Sequence, residues 1–322
     1  MREIVLVSSG GGSTGGAELI HQLSDVLLTA GLPARLLYYP FDRAHDPHPA
    51  VAGYKTHIIG KSEVAADAVM VFPEISTYRI AQFPGRRIVL WWLSVDNYFG
   101  SRRTRYWLRN GLAPWDYLDM ARPRQRDRIS HHLYQSEYAR LFLEGIGASN
   151  TAYLGDFINQ AFLQAGGDVD LANKEDIVIY NPAKGLEVTR RLLARLPPGV
   201  GVPITGMTRA EVMRLMARAK VYIDFGHHPG QDRIPREAAT FGCCVITNRR
   251  GSAANPVDIP IPDAYKIAET APNFIEQTAR LIDDIFTHFP RRHADFAAYR
   301  EMIRRQKARF EEDAVDFFRA LI

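Results

Sequence analysis

The order of hydrophobic and polar positions predicts strands that alternate with helices along the first half of the chain. Apolar runs typical of buried strands lie at 3–8, 34–39, 68–72, 87–93, 132–135 and 151–154. Between the first two runs, apolar residues recur at helical spacing from Leu19 to Ala30, and Gly31 ends that helix. Such alternation indicates an α/β protein with parallel sheets.

The same alternation begins again in the second half. Strand patterns lie at 176–180, 203–205, 221–225 and 243–247. Helical patterns lie at 186–196, after the capping box that Thr208 and Glu211 form, and over 273–286 and 296–322. The polar, glycine-bearing segment 164–174 between the halves favours a linker.

We therefore expect two Rossmann-like domains, an N-terminal one over 1–165 and a C-terminal one over 172–322. The last helix is a candidate to pack back on the N-terminal domain. Because parallel sheets bind ligands at the carboxyl ends of their strands, two such domains facing across a cleft place the expected site in that cleft.

Composition narrows the classes of protein. The 322 residues are 46% hydrophobic and 24% charged, which suits two ordinary cores. No apolar run approaches the about 18 residues of a membrane span, and residues 1–3 lead directly into a strand, so we expect a cytoplasmic protein without a secretory signal. Cys243 and Cys244 are adjacent, which excludes a disulfide framework and gives no metal-ligand spacing.

The net charge of +4 and the isoelectric point of about 9.0 suit an anionic partner. Nucleotide phosphates, a membrane surface and nucleic acid all have the required charge. The chain has no zinc-finger, RNP-type or basic-zipper signature, so nucleic acid is disfavoured and we expect no nucleic-acid partner.

A glycine-rich turn follows the first strand. Gly10, Gly12 and Gly15 satisfy the spacing G-x-G-x-x-G of dinucleotide sites. That reading also requires a carboxylate at the end of the second strand, which instead ends at Tyr39 and Pro40. Nicotinamide binding is therefore disfavoured. The alternatives are a loop whose backbone approaches an anionic ligand and a plain strand-to-helix turn.

The strongest constellation runs from Asp224 to Thr247. A strand ends, a loop with Gly230 follows, and a helix predicted to begin near Pro235 carries Glu237 in its first turn. Loop amides and a helix N-terminus suit a diphosphate, and a carboxylate there can accept hydrogen bonds from both hydroxyls of a ribose. The alternative for Glu237 is a first-turn acid that only complements the helix dipole.

Three further charged positions are candidates. Lys184 directly follows a strand end, where its ammonium suits phosphate, although an exposed lysine is the alternative. Arg233 and Arg236 flank the start of the predicted helix and are candidates for the same anion or for solvated surface charge.

On the acceptor side, Asp96 follows a strand and suits a base that deprotonates an acceptor hydroxyl, with a loop-capping role as the alternative. Arg102 and Arg105 belong to a basic and aromatic patch with Tyr106 and Trp107. This patch suits an acidic glycan or an anionic lipid surface, and a solvated helix is the alternative.

The ordered set of these motifs resembles GT-B glycosyltransferases of the family-4 type. The likeness touches nearly the whole chain and is strongest from 222 to 252. It is carried by residues 15–18 (GGAE), 136–140 (SEYAR), 154–159 (LGDFIN) with Phe162, 184–185 (KG) and 235–246 (PREAATFGCCVI).

The resemblance implies transfer of a sugar from a nucleotide-diphosphate sugar to a glycan or lipid-linked acceptor, in surface polysaccharide or glycoconjugate synthesis. Glu237 matches the carboxylate that binds the ribose, and Lys184 matches the lysine on the diphosphate. Gly15 and Gly16 match the glycine loop beside the phosphates and the reacting sugar, which makes Gly16 a catalytic position. Such enzymes need no metal or other cofactor, because cations and helix dipoles neutralise the leaving diphosphate.

The chain also departs from the family pattern. Pro229 stands where the family has a second glutamate, and Tyr180, Asn181 and Pro182 stand where an arginine is usual. Arg233 or Arg236 is a candidate replacement for the cation, and Asp232 for the carboxylate. These departures leave retention and inversion of configuration as alternatives. They also leave two other functions open, a sugar-nucleotide epimerase of the same build and a non-catalytic sugar-nucleotide or glycan-binding module.

Overall fold

The computed structural model describes residues 1–11, 14–101 and 103–322, without the side chains of residues 109 and 114. The chain divides into two compact units. The first contains Met1–Asp156 together with Ala308–Ile322, and the second contains Phe157–Lys307. Each unit is built around one parallel sheet, so the predicted α/β class with parallel sheets in two domains is confirmed.

The first unit contains a six-stranded sheet in the order β2-β1-β3-β4-β5-β6. All its pairings are parallel. Its strands are β1 (Ile4–Ser9), β2 (Ala34–Tyr39), β3 (Val69–Pro73), β4 (Arg87–Trp92), β5 (His131–Tyr134) and β6 (Thr151–Tyr153). The four apolar residues that begin β1 are fully buried, because helices and loops cover both faces of a parallel sheet.

Helices and 3₁₀ segments connect these strands. The helices are α1 (Gly15–Thr29), α2 (Val95–Ser101), α3 (Thr104–Asn110), α4 (Pro123–Arg126) and α5 (Glu137–Gly145). A 3₁₀ segment, Glu74–Gln82, follows β3 directly, and shorter ones lie at Pro49–Val51, Lys61–Glu63 and Pro114–Asp116. Thr14 caps α1 by accepting a hydrogen bond from the Ala17 amide, which fixes where the glycine-rich turn becomes a helix.

The second unit contains a four-stranded parallel sheet in the order β10-β9-β7-β8. Its strands are β7 (Glu175–Tyr180), β8 (Gly201–Pro203), β9 (Ala219–Asp224) and β10 (Cys244–Thr247). Its helices are α6 (Gln160–Gly167), α7 (Leu186–Leu193), α8 (Arg209–Arg218), α9 (Arg233–Thr240), α10 (Phe274–Thr287) and α11 (Phe289–Ala294). Both cysteines are buried core residues, and neither forms a disulfide. Cys244 begins β10, and Cys243 directly precedes it.

The last helix, α12 (Ala297–Leu321), belongs to both units. Its first part contributes Tyr299 and Ile303 to the core of the second unit. From Ala308 onward it belongs to the first unit, where the ring of Phe310 stacks on Trp91 with 6.1 Å between the ring centroids.

Segment 164–174, which we expected to be a linker, begins as a helix in the structure. Its beginning continues α6, which packs against α8 and α9 of the second unit. A side chain at Gly166 would come within 2.5 Å of the Thr240 methyl group and 2.8 Å of the Thr240 carbonyl oxygen. This glycine therefore permits a close helix contact, whereas its sequence context suggested a loop.

Candidate functional site

Two glycines bring the loops after β7 and β9 together. Gly185 has a φ of +59°, and a Cβ there would lie 2.5 Å from the carbonyl of Phe225. Gly226 lies under the side chain of Lys184, whose Cβ would be 2.5 Å from a Cβ at position 226. The sequence Lys184-Gly185 is therefore needed for the backbone path, and it fixes the root of the lysine side chain at the carboxyl end of β7.

Lys184 forms an ion pair with Asp232. Its Nζ lies 2.7 Å from Asp232 Oδ2, and the two side chains are 30% and 19% exposed. Burial alone would raise the pKa of Asp232, but His228 and Lys184 outweigh it and lower the pKa, so this carboxylate stays ionised at neutral pH. Asp232, proposed from the sequence only as a substitute carboxylate, thus meets Lys184 although 48 positions separate them.

His228 is fully buried between two carboxylates. Its Nδ1 lies 2.9 Å from Asp232 Oδ2, and its Nε2 lies 3.7 Å from Asp224 Oδ1. Asp224 in turn accepts hydrogen bonds from the Tyr222 hydroxyl and the Gly226 amide, each at 2.9 Å. These contacts orient Asp232 toward Lys184.

Asp224, His228 and Asp232 are also the described residues that could hold a metal ion, with one ligand atom from each within 4.8 Å of the others. The Asp224 oxygens already accept hydrogen bonds, and the Lys184 ammonium already neutralises Asp232. Two of these three candidate ligands therefore already have partners within the protein.

The loop after β10 supports the loop that precedes α9. The amide of Ser252 donates a 2.8 Å hydrogen bond to the His228 carbonyl, and its hydroxyl donates a 2.6 Å hydrogen bond to the Gly230 carbonyl. A side chain at Gly251 would overlap the His228 carbonyl, which explains a glycine with φ of +59° at this position. Gly230, predicted to contact the donor, is buried in this loop.

Helix α9 begins at Arg233, two residues before the predicted start at Pro235. Proline is tolerated here because the first amides of a helix have no intrahelical acceptor. As a consequence, Glu237 lies beyond the first turn, and the prediction of a first-turn acid is wrong. Asp232 occupies the N-cap position but makes no side-chain cap bond, since its carboxylate is directed to Lys184 and His228.

Arg236 is buried, contrary to the alternative of a solvated surface charge. Its guanidinium donates to Gln306 Oε1 at 2.9 Å and to the carbonyls of Gln231 and Asp232 at 2.9 and 3.2 Å. These contacts brace the loop before α9 against α12, and the predicted contact with a donor stays a prediction. Arg233 is half-buried at the first position of α9, and Glu237 is half-buried in the same helix.

In the first unit, the glycine-rich turn lies at the carboxyl end of β1. A side chain at Gly10 would overlap the ring of His45, whose Nε2 lies 2.8 Å from the Pro40 carbonyl oxygen. Gly15 is exposed at the first position of α1. A Cβ at Gly16 would lie 3.5 Å from the Leu93 side chain at the end of β4. The turn also contains Gly12, which lies outside the described residues.

Asp96 lies in the first turn of α2, just after β4. It is half-buried and accepts a hydrogen bond from the Tyr138 hydroxyl at 3.4 Å. Burial, together with the Asp96 charge, raises the pKa of Tyr138. Of the basic patch, Arg105 is exposed on α3, whereas Arg102 lies outside the described residues.

The structure also places two charged residues at the carboxyl edge of the first sheet that sequence reasoning missed. Glu74 directly follows β3, is 2% exposed, and accepts a 2.9 Å hydrogen bond from the Leu93 amide. Burial raises its pKa to about 7 despite the backbone hydrogen bonds of Leu93 and Ser94. Arg79 lies in the same 3₁₀ segment and is 8% exposed. For Glu74, the signal available in the sequence was a charged residue directly after a buried strand pattern.

No family model matches the chain, and no curated protein matches it. Among solved structures, HepE from Anabaena in complex with UDP is similar, with 13% identity, a TM-score of 0.67, and coverage of 99% of this chain and 100% of that chain. Sucrose-phosphate synthase from Thermosynechococcus elongatus is 12% identical with a TM-score of 0.63, over 100% and 98% of the two chains.

A third similar structure is WaaG, a glycosyltransferase involved in lipopolysaccharide biosynthesis. It is 14% identical with a TM-score of 0.62, over 96% of this chain and 98% of that chain. Because all three likenesses extend over nearly the full length, they show that the chain has the GT-B fold, as the sequence motifs indicated. Among the described residues, no helix is both long and apolar enough to cross a membrane.

Proposed function

From the GT-B fold, we propose that this protein is a glycosyltransferase that takes a sugar from a nucleotide-diphosphate sugar. The observation that carries the proposal is the ammonium of Lys184, held at the carboxyl end of β7 beside the start of α9. A cation and a helix N-terminus at the strand ends of a parallel sheet form a suitable environment for a diphosphate. The UDP complex of HepE supports the same class of ligand.

We assign the donor to the second unit. Lys184 exchanges its ion pair with Asp232 for the diphosphate, which it neutralises together with the start of α9 and Arg233, and the loop at Gly230 lies beside the diphosphate. Glu237 accepts hydrogen bonds from the ribose hydroxyls. When the bond between sugar and diphosphate breaks, negative charge grows on the leaving phosphate oxygen, and fixed cations stabilise that charge without reorganisation.

Acceptor activation is assigned to the first unit. Gly15 and Gly16 allow the backbone to approach the reacting sugar, and Asp96 deprotonates the acceptor hydroxyl if the reaction inverts the configuration. Lys184 supplies the charge that a metal provides in other transferases, so we expect activity without a metal or other cofactor. Activity that disappears with EDTA and returns with a divalent cation would contradict this expectation.

For the acceptor, we propose a glycan or lipid-linked molecule of surface polysaccharide or glycoconjugate synthesis. Leu108 and Trp115 are 80% and 84% exposed near the exposed Arg103 and Arg105, a combination that suits an anionic lipid surface. We therefore propose peripheral contact with the inner face of the membrane. Vesicles containing phosphatidylglycerol should sediment the protein, and a Trp115→Ala, Leu108→Ala variant should remain in solution.

The donor site is tested by nucleotide binding. We expect one of UDP, GDP, ADP, TDP and CMP to raise the melting temperature, since a ligand at 100 times its Kd adds about 2.7 kcal/mol of stability. Lys184→Ala and Glu237→Ala should each weaken that binding by about tenfold to a hundredfold, because each removes a hydrogen bond to a charged group worth about 1.5–3 kcal/mol.

Lys220→Ala is the matched control. Lys220 also pairs with an aspartate, Asp176, at 2.6 Å, but it lies at the opposite end of the same sheet. Its substitution should leave nucleotide affinity unchanged. Unchanged affinity in both site variants would remove the residue assignments. Product analysis with donor alone separates transfer from epimerisation, and nucleotide binding without turnover would identify a binding module.

A further inference from the structure

Arg79 is an almost fully buried cation near the carboxyl ends of the strands of the first sheet. It lies in the 3₁₀ segment Glu74–Gln82, directly after β3, and is 8% exposed. Its guanidinium carbon lies 4.2 Å from the ring centroid of Tyr39, the last residue of β2, and 5.7 Å from the ring centroid of Phe41. Aromatic rings thus cover part of the guanidinium at the edge where parallel sheets bind ligands.

Among the residues that the structure describes, none forms an ion pair or a hydrogen bond with this guanidinium. The Glu74 carboxylate is nearby in sequence, but it accepts the Leu93 amide. Arg236 shows the usual arrangement, since it is also buried and donates to three acceptors. In the described part of the chain, the charge of Asp42 acts on Arg79 without an ion pair between them, and none of the guanidinium nitrogens is fully buried without a partner, so a ligand can still reach them. Because a mostly buried cation without a direct partner is poorly compensated, the site favours an anion.

The chemistry of the missing partner follows from the guanidinium. Its N–H groups lie in one plane, and an aromatic ring on its face leaves that edge for a ligand. Two parallel N–H···O bonds from this edge match a carboxylate or a phosphate, whereas a neutral sugar hydroxyl leaves the charge uncompensated.

We infer that Arg79 binds a carboxylate or phosphate group of the sugar acceptor. This inference rests on the proposed function, which assigns the donor diphosphate to Lys184 in the second unit. Arg79 belongs to the first unit and lies at the edge of a different sheet. The acceptor class is therefore an acidic sugar or a phosphorylated one.

The test compares acidic and neutral sugars on the full chain. Glucuronate and glucose 6-phosphate are titrated against glucose by calorimetry, for the original chain and for Arg79→Met, Arg79→Lys and Arg35→Met. We expect at least tenfold tighter binding of one anionic sugar than of glucose. Arg79→Met should abolish this preference, and Arg79→Lys should restore part of it. The control Arg35 lies at the opposite end of β2 and already pairs with Glu3 at 3.1 Å.

Two further readouts separate the possible failures. Lys184→Ala should retain the preference for the anionic sugar, which shows that the donor site does not cause it. Nucleotide affinity is measured in parallel and should be unchanged in Arg79→Met. If the original chain binds no nucleotide, the proposed function is contradicted instead. The melting temperature of Arg79→Met without ligand should fall little, because the substitution removes no ion pair or hydrogen bond among the described residues and methionine can still pack on the Tyr39 ring.

The inference is overturned by equal affinity of the original chain for acidic and neutral sugars, or by a preference that Arg79→Met retains. A fall in melting temperature, together with loss of all sugar binding in both Arg79 variants, would assign Arg79 a structural role through its contact with Tyr39.

Discussion

Glu74 links ionisation to stability in the first unit. Its pKa of about 7 lies above the usual value of 4.5 because burial disfavours the charged form. The folded protein therefore binds this proton more tightly than the unfolded chain does. The free energy of unfolding should fall as the pH rises from about 4.5 to about 7 and then level off, with a total change on the order of 3 kcal/mol.

Glu74→Gln should remove this fall, because an amide has the same shape, still accepts the Leu93 hydrogen bond and does not titrate. Relative to the original chain, the variant should therefore gain about 3 kcal/mol between pH 5 and pH 8 in urea unfolding. Glu144→Gln, at an exposed position of α5, is the control and should follow the original chain. Parallel curves for Glu74→Gln and the original chain would contradict the raised pKa.

At the scale of elements, the donor site depends on how closely the β7 and β9 loops approach. Gly185→Ala would place a methyl group 2.5 Å from the Phe225 carbonyl and force a side chain into a φ of +59°. The left-handed conformation alone costs about 1–2 kcal/mol, and the overlap with backbone adds to that cost. We expect a loss of more than about 2 kcal/mol of stability and weaker nucleotide binding through displacement of Lys184.

Gly206→Ala supplies the matched comparison for this element. Gly206 has a similar φ of +64°, but a Cβ there meets no atom within 4 Å. The Gly206→Ala variant should lose only the stability that the left-handed backbone conformation costs. Its nucleotide affinity should be unchanged in the same thermal-shift titration. If both variants lose the same stability and neither loses affinity, the close approach of the two loops is not what positions Lys184.

The elements also show what could be predicted from local sequence. Lys184 and Gly185 were identifiable because a strand pattern ends immediately before them, and the strands themselves follow from apolar runs. The start of α9 was placed two residues late, because proline is compatible with several positions of a first turn. Gly166 suggested a linker because a glycine that permits helix packing has the same local signature as a glycine in a loop.

The missed contacts are those between distant parts of the chain. The pairing of Lys184 with Asp232, and the placement of Arg79 over aromatic rings without a described ion pair, depend on the path of several loops. Single-sequence patterns report burial and periodicity, and neither fixes which charges meet. The candidate cations and carboxylates were therefore recognisable by type, whereas their pairing required the three-dimensional arrangement.

At the scale of the whole molecule, the first unit contains the C-terminal end of the chain as part of its core. From Ala308 onward, α12 contributes Phe310, Ala314 and Phe318, all of them at most 1% exposed. The Arg87 guanidinium also donates a 3.0 Å hydrogen bond to the Leu321 carbonyl. The core around β4 therefore depends on residues that follow the entire second unit in sequence.

Phe310→Ala tests this dependence. Removing a buried phenylalanine that stacks on Trp91 should cost about 3–5 kcal/mol. Calorimetry should show a lower transition temperature for the first unit, while nucleotide binding at Lys184, in the second unit, stays unchanged. Arg319→Ala, at an exposed position of the same helix, should change neither quantity. A loss of nucleotide binding in Phe310→Ala at temperatures where the second unit remains folded would show that the donor site depends on the first unit's core, contrary to the assignment of the donor to the second unit.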